Sequence, residues 1–213
     1  MTTLLIVRHG QSTANPNNIF AGHLDVPLTA LGVKQAEATA DYLASHYKID
    51  AVYSSDLERA FRTARIVADR IGLDVHPRAD LREVYAGEWE GKSFDYLVEN
   101  GGEAYHKWRF DIGNAACTGG ESCAALQARV LRAVQEIAKE NDGKTVVIAS
   151  HGGAIRALMC AVSGNTLDAM KDIPWVSNAS VTTIIEDGGV LHLECAGYDE
   201  HLAGMKTVLA PNV

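Results

Sequence analysis

Short apolar runs alternate with longer amphipathic segments along most of the chain. Short, mostly apolar runs are typical of strands that are buried on both faces of a parallel sheet. They predict strands at 2–7, 51–54, 73–76 and 145–149. Segments whose apolar residues recur every three or four positions predict amphipathic helices. These helices cover 29–47, 57–71, 121–139 and 154–162, and Thr29 is a suitable N-cap for the first.

A hairpin closes the pattern. Apolar runs at 181–185 and 190–193 are joined by Asp187-Gly188-Gly189, which is a turn signal between strands. Strands that alternate with helices form a mostly parallel sheet with helices on both faces, and the hairpin adds an antiparallel edge. The predicted fold is therefore an α/β three-layer sandwich.

The segment 81–120 departs from this alternation. It is rich in aromatic residues and glycine, and its helical signals are short and broken. Its aromatic residues include Tyr85, Trp89, Phe94, Tyr96, Tyr105, Trp108 and Phe110. We predict one domain over 1–213, with an insertion at about 84–120 that lies over the sheet edge and covers the substrate.

The 213-residue chain has a formal net charge of −8. An acidic balance argues against nucleic-acid binding, which needs a basic face. It still permits a small anionic substrate, because a few convergent arginines and histidines create a positive local field. The first apolar run is short and lacks a basic leader, and no apolar stretch reaches the ~18 residues that span a membrane. We expect a cytoplasmic protein with neither nucleic-acid nor membrane partners.

Two of the predicted strands end in a histidine followed by glycine. His9-Gly10 follows the first strand, and His151-Gly152 follows the strand at 145–149. If both strands are central and parallel, their carboxyl ends lie side by side and the two histidines meet. Glycine after each histidine lets the backbone approach a ligand closely. Free N–H groups at the following helix start would make this edge an anion site.

Three further charged residues come from the same edge. Arg8 precedes His9, and Arg59 lies in the first turn after the second strand. Two guanidinium groups can hold one phosphate group. Glu83 follows the third strand, at the start of the aromatic insertion. This convergence suits phosphoryl transfer, which needs charge neutralisation and in-line positioning.

Several ordered blocks carry a family resemblance. They are LIVRHGQS at 5–12, YSSDLERAFRTA at 53–64, LREVYAGEWEG at 81–91, GGES at 119–122 and SHGG at 150–153. Together they resemble the signature of the histidine phosphatase superfamily, in its phosphoglycerate mutase-like branch. The blocks occur in family order and extend over most of the chain.

The resemblance implies a role for each matching residue. His9 is the nucleophile that becomes phosphohistidine. Arg8, Arg59 and His151 bind the phosphoryl oxygens, with help from Asn15. Glu83 is the general acid for the leaving oxygen and later the base for water. A neutral imidazole is nucleophilic near pH 7, and a carboxyl group in an aromatic-rich pocket can keep a proton to donate.

Other substrate contacts are expected from Gln11, Ala21, Gly22 and Gly152. Gln11 stands where many members of the family have Glu, and Ala21-Gly22-His23 replaces a more usual polar-Gly-aromatic run. No metal is expected, because arginine and histidine supply the positive charge and no histidines show a ligand spacing such as HExxH.

Three functions remain open. The first is a metal-independent phosphatase that hydrolyses small phosphate monoesters. The second is a phosphoglycerate mutase, which alone would require 2,3-bisphosphoglycerate as a cofactor. The third is a non-catalytic module that binds a phosphorylated ligand. Mutases of this family carry a basic, proline-rich insertion, whereas no proline occurs here between Pro77 and Pro174. This favours the phosphatase, whose partner is a small phosphorylated metabolite; the oligomeric state stays open.

Overall fold

The computed structural model describes residues 1–208. Within this range, six strands form one mixed sheet in the order β3-β2-β4-β1-β5-β6. The strands are β1 Thr2–Arg8, β2 Ala51–Ser54, β3 Val75–Pro77, β4 Thr145–Ser150, β5 Val181–Asp187 and β6 Val190–Tyr198. The first four are parallel, and the β5–β6 hairpin pairs antiparallel to β1. The predicted sheet is confirmed.

Helices cover both faces of this sheet. They are α1 Ala30–His46, α2 Glu58–Ile71, α3 Phe94–Asn100, α4 Gly102–Phe110, α5 Cys123–Glu140 and α6 Gly152–Val162. Alternate residues of β1 divide between the two faces. Leu5 packs in a cluster that includes Leu43 of α1 and Val67 of α2, whereas Ile6 packs in a second cluster with residues of α5 and α6. The three-layer α/β sandwich is therefore confirmed.

Several predicted boundaries differ from the structure, the largest difference being at β6, which extends to Tyr198 instead of residue 193. β3 begins at Val75 instead of residue 73, because Gly72 ends α2 in a left-handed conformation and the Leu73 N–H still bonds to the Ala68 carbonyl. α6 begins at Gly152, two residues earlier than predicted. Its glycine-rich start has the low helix propensity of a loop.

The aromatic segment packs on the sheet through its own small core. Trp89 and Trp108 meet edge to face, with ring centroids 5.7 Å apart. Phe20, from the loop after β1, adds an edge contact to Trp108 at 5.3 Å. Both tryptophans belong to the same buried cluster as Ile6 of β1. The aromatic segment thus shares one buried cluster with the sheet.

The segment after β6 packs against α1. His201 stacks on Tyr42 with ring centroids 4.9 Å apart, and the Gln35 side-chain amide donates to the Met205 carbonyl at 2.6 Å. Among the described helices, none has the length and apolar composition needed to cross a membrane.

Candidate active site

A cavity of about 90 Å³ lies at the carboxyl edge of the parallel strands. The pairing of β1 with β4 sets Arg8 opposite Ser150. His9 and His151 are the next residue in each chain segment, so they lie side by side at the ends of these strands. The predicted residues that line the cavity are Arg8, His9, Asn15, Ala21, Gly22, Arg59, Glu83 and Gly152. Most of the predicted set therefore comes together at one place.

His9 is held as a neutral nucleophile. Its Nδ1 lies 2.7 Å from the Gly10 carbonyl oxygen, which can only accept, so Nδ1 carries the hydrogen and Nε2 keeps a free lone pair. Burial lowers the pKa of His9 well below 6.5, and the charges of Arg59 and Arg8 lower it further. The ring is 5% exposed and therefore stays unprotonated at neutral pH.

The His151 ring lies beside His9, with centroids 5.2 Å apart. Its Nε2 is 2.8 Å from the Ser55 hydroxyl, and that hydroxyl also accepts the Leu57 N–H at 3.3 Å. When the Ser55 hydroxyl donates to His151 Nε2, the ring hydrogen lies on Nδ1. Within residues 1–208, His151 Nδ1 has no hydrogen-bond partner although it is buried. His151 itself does not line the cavity, and it adjoins the site through the His9 ring, which does.

We expect Ser55→Ala to lower kcat/KM for a phosphate ester roughly tenfold, because a His151 that is free to change tautomer loses its donor part of the time. Ring ¹⁵N shifts of His151 measured by NMR would report the tautomer directly. Ser54→Ala is the matched control, because Ser54 is equally buried but donates to a backbone carbonyl. An equal loss in both variants, with an unchanged His151 tautomer, would reject this role for Ser55.

Arg8 and Arg59 place two positive charges in the cavity wall. Arg59 donates to the carbonyls of Leu24 at 3.0 Å and Gly22 at 2.8 Å, and Arg8 donates to the Val176 carbonyl. Burial lowers the pKa of Arg8 to about 10, although Glu83 opposes this shift, so the group stays charged near pH 7. Neutral carbonyls fix the two guanidinium groups without cancelling their charge. The pair is therefore suited to an anion.

Glu83 lies at the first turn of α6. Its carboxylate accepts the N–H of Gly153 at 2.9 Å, Ala154 at 3.0 Å and its neighbour Val84 at 3.0 Å. A Cβ at residue 153 would lie 2.7 Å from a Glu83 oxygen, so the approach requires glycine there. Three N–H donors therefore fix the Glu83 carboxyl group at the N-terminus of α6, beside the cavity that it lines.

Asn15 and Gln11 differ in their placement. The side-chain oxygen of Asn15 accepts the Ser12 N–H at 2.8 Å, and Asn15 lines the cavity. Gln11 accepts a hydrogen bond from Thr29 at 2.8 Å and donates to Thr207 at 3.4 Å. Both ends of the Gln11 side chain are thus occupied by protein, and it does not line the cavity. We leave Gln11 out of the proposed substrate contacts.

Sequence reasoning missed two supports of the site, the half-buried Arg129 and the buried Asn178. Arg129, on α5, donates to the Arg82 carbonyl at 3.0 Å and the Glu83 carbonyl at 3.1 Å while paired with Glu121. Asn178 donates to the His9 carbonyl at 3.0 Å. Glu121 and Arg129 are eight positions apart in the sequence, which is only a weak indication of the Arg129 contacts. No local pattern indicates Asn178.

The sequence around this site matches the profile of a known protein family. A profile described as "Histidine phosphatase superfamily (branch 1)" matches residues 4–197, which include all the candidate residues. The chain belongs to the histidine phosphatase superfamily. The predicted resemblance is therefore confirmed.

Similar members of the histidine phosphatase superfamily come from distant organisms. Phosphoglycerate mutase-like protein 4 of Arabidopsis thaliana is 35% identical over 92% of this chain and 88% of its own length. Putative phosphoserine phosphatase 2 of Hydrogenobacter thermophilus is 34% identical over 88% of this chain and 91% of its own. The solved structure of Bacillus stearothermophilus YhfR has a TM-score of 0.90 and 33% identity, and the match covers 95% of this chain and 100% of that one.

Proposed function

We propose that this member of the histidine phosphatase superfamily hydrolyses small phosphate monoesters through a phosphohistidine intermediate. The observation that carries the proposal is the state of His9. Its Nε2 lone pair is free because Nδ1 is committed to the Gly10 carbonyl, and Arg8 and Arg59 line the same cavity. A neutral nucleophile beside two cations suits attack on a phosphoryl group.

In the first step, His9 Nε2 forms a bond to phosphorus as the bond to the ester oxygen breaks. Arg8, Arg59 and the His151 Nδ1–H hold the phosphoryl oxygens, and the Asn15 amide assists. Glu83 gives a proton to the departing oxygen, so the product leaves as an alcohol. In the second step, Glu83 takes a proton from water, whose oxygen attacks phosphorus and releases His9 and inorganic phosphate.

The position of Glu83 suits both proton transfers. Glu83 lines the same cavity as His9, Arg8 and Arg59, so its carboxyl group faces the place where the ester oxygen leaves and where water enters. The N–H donors of α6 hold the carboxyl group there. Glu83 can thus alternate between acid and base during one turnover.

The insertion supplies the wall for the leaving group. Phe94 and Trp108 line the cavity together with Phe20. Their rings form an apolar surface, which excludes water from the reacting groups and strengthens the electrostatic contacts inside. This is the covering role that we propose for residues 84–120.

A mutase is the second candidate, since one relative is named a phosphoglycerate mutase-like protein. A mutase has to hold a sugar acid that bears a second negative group while the phosphoryl group returns to it. Among the residues that line the cavity, the cations are Arg8 and Arg59, and the phosphoryl group needs both. The lining therefore favours transfer to water over transfer to a short sugar acid.

We expect the protein to hydrolyse p-nitrophenyl phosphate in the presence of EDTA, because arginine and histidine supply the charge neutralisation. Within the described chain, no group of three or more His, Cys, Asp or Glu side chains is arranged to hold a metal ion. Loss of activity with chelator, restored by added metal, would contradict the proposed chemistry. Fast isomerisation of 3-phosphoglycerate that depends on 2,3-bisphosphoglycerate would establish the mutase instead.

A further inference from the structure

A second cavity of about 370 Å³ adjoins the active site. We call it the Arg156 cavity. It lies between the end of α4 and the segment 171–175, and Trp108 and Trp175 line both this cavity and the catalytic one. The two tryptophans therefore form a shared wall. The volume of the Arg156 cavity lies in the range of small-molecule sites.

Arg156 is a buried cation without a carboxylate partner. It is 7% exposed, and its Nε and Nη2 donate to the carbonyls of Ile173 at 2.6 Å and Lys171 at 2.9 Å. Its guanidinium group also lies 4.7 Å from the centre of the Trp175 ring. No carboxylate in the described part of the chain forms an ion pair with it, and its Nη1 has no hydrogen-bond partner there. Burying such a charge costs free energy that a bound anion would offset.

Lys171 lies beside Arg156 in the cavity wall, which also contains the carboxylate of Asp172. Arg156 and Lys171 thus bring two cations to one concave surface in a chain whose net charge is −8. A concave, cationic wall attracts anions from solution.

Trp175 connects this wall to the catalytic residues. A Cβ at residue 152 would lie 3.2 Å from a Trp175 ring carbon and 3.2 Å from the Arg8 guanidinium carbon. The indole ring is therefore adjacent to the phosphoryl-binding Arg8 and also contacts Arg156. A leaving group that extends from the phosphoryl position along the tryptophans would reach the Arg156 cavity.

We propose that the Arg156 cavity binds a second anionic group at the far end of an extended leaving group, a proposal that rests on the phosphatase function. The preferred substrates are then phosphate monoesters in which a terminal carboxylate or phosphate is separated from the ester by an extended spacer. An ester whose leaving group ends before Trp108 and Trp175 would gain nothing from this cavity.

The test uses ω-carboxyalkyl phosphates of increasing chain length and the matching alkyl phosphates. For each length, the ratio of kcat/KM between the carboxylated and the plain ester is measured. We expect the ratio to rise to a maximum at one length in the wild-type protein. Lys171→Glu should lower that maximum by roughly three- to tenfold, mainly through KM. Arg156→Gln should lower it further, with its thermal unfolding midpoint recorded because Arg156 also holds the 171–173 backbone.

Lys144→Glu is the matched control, because it makes the same charge change at an exposed residue beside the opposite end of β4. An equal fall in that variant would overturn the proposal, and so would a ratio that does not depend on chain length. Inhibition by free alkyl dicarboxylates that is non-competitive and lost in Lys171→Glu would identify an effector site instead, which also overturns it. Hydrolysis of the plain alkyl phosphates tests the phosphatase function separately.

Discussion

Replacing His9 by alanine abolishes both hydrolysis of phosphate esters and labelling of the protein by a ³²P-ester. The imidazole Nε2 is the atom that bonds to phosphorus, and no other unprotonated nitrogen with a free lone pair lines the cavity among residues 1–208. We expect kcat to fall by roughly 10⁴-fold or more, as it does when a covalent nucleophile is removed. Quenched-flow labelling followed by acid treatment measures the intermediate, since phosphohistidine is acid-labile and stable in base.

His76→Ala is the control for this variant. His76 is exposed and lies on β3 of the same sheet, so its removal should leave both hydrolysis and labelling intact. Acid-labile label that persists in His9→Ala would place the nucleophile on another residue. Residual hydrolysis without any labelling would indicate direct attack by water, and would contradict the two-step scheme.

Local pattern was sufficient to predict the position of this nucleophile. The apolar run of β1 and the run of β4 have the composition of central parallel strands, and their pairing sets Arg8 opposite Ser150. Both histidines therefore fall at one edge whatever the details of the loops. Arg59 follows from the same logic, because it lies in the first turn of α2 directly after β2.

The supports of the site could not be predicted in this way, because they come from residues far apart in the chain. Asn178 reaches the His9 carbonyl across 169 positions, and Arg129 reaches the Glu83 carbonyl across 46. Ala179 adopts a positive φ of 60° so that its N–H bonds to the Arg8 and His9 carbonyls. Alanine carries no sequence signal for that conformation, which glycine ordinarily adopts.

The same limit explains the placement of Gln11. Gln11 lies within the first family block, but its side chain is fixed by Thr29 and Thr207, and the second of these contacts is not visible from local pattern. The free N–H groups predicted at the start of the helix after His151 are present, but those of Gly153 and Ala154 bind the Glu83 carboxylate. This contact joins residues 70 and 71 positions apart, so local pattern does not predict it.

We expect Glu83→Gln to affect the two steps of the reaction differently, depending on the leaving group of the ester. With an alkyl phosphate, the departing oxygen needs a proton, which glutamine cannot give, so we expect kcat/KM to fall roughly 10²- to 10⁴-fold. With p-nitrophenyl phosphate, the leaving phenolate is stable without a proton, and His9 should still be phosphorylated. The second step then stalls, because no carboxylate remains to take the proton from water.

Stopped-flow measurement should therefore record a burst of nitrophenolate equal to the enzyme concentration, followed by slow turnover, and labelled phosphohistidine should accumulate. Glu88→Gln is the matched control, since Glu88 is an exposed carboxylate five residues away that does not line the cavity; its kinetics should match the wild type. If kcat/KM falls equally for both esters and no burst is seen, Glu83 is needed before phosphoryl transfer, because it positions the N-terminus of α6. In that case the N–H contacts to Gly153 and Ala154 would be its main contribution, and the proton donor would have to be sought elsewhere in the cavity wall.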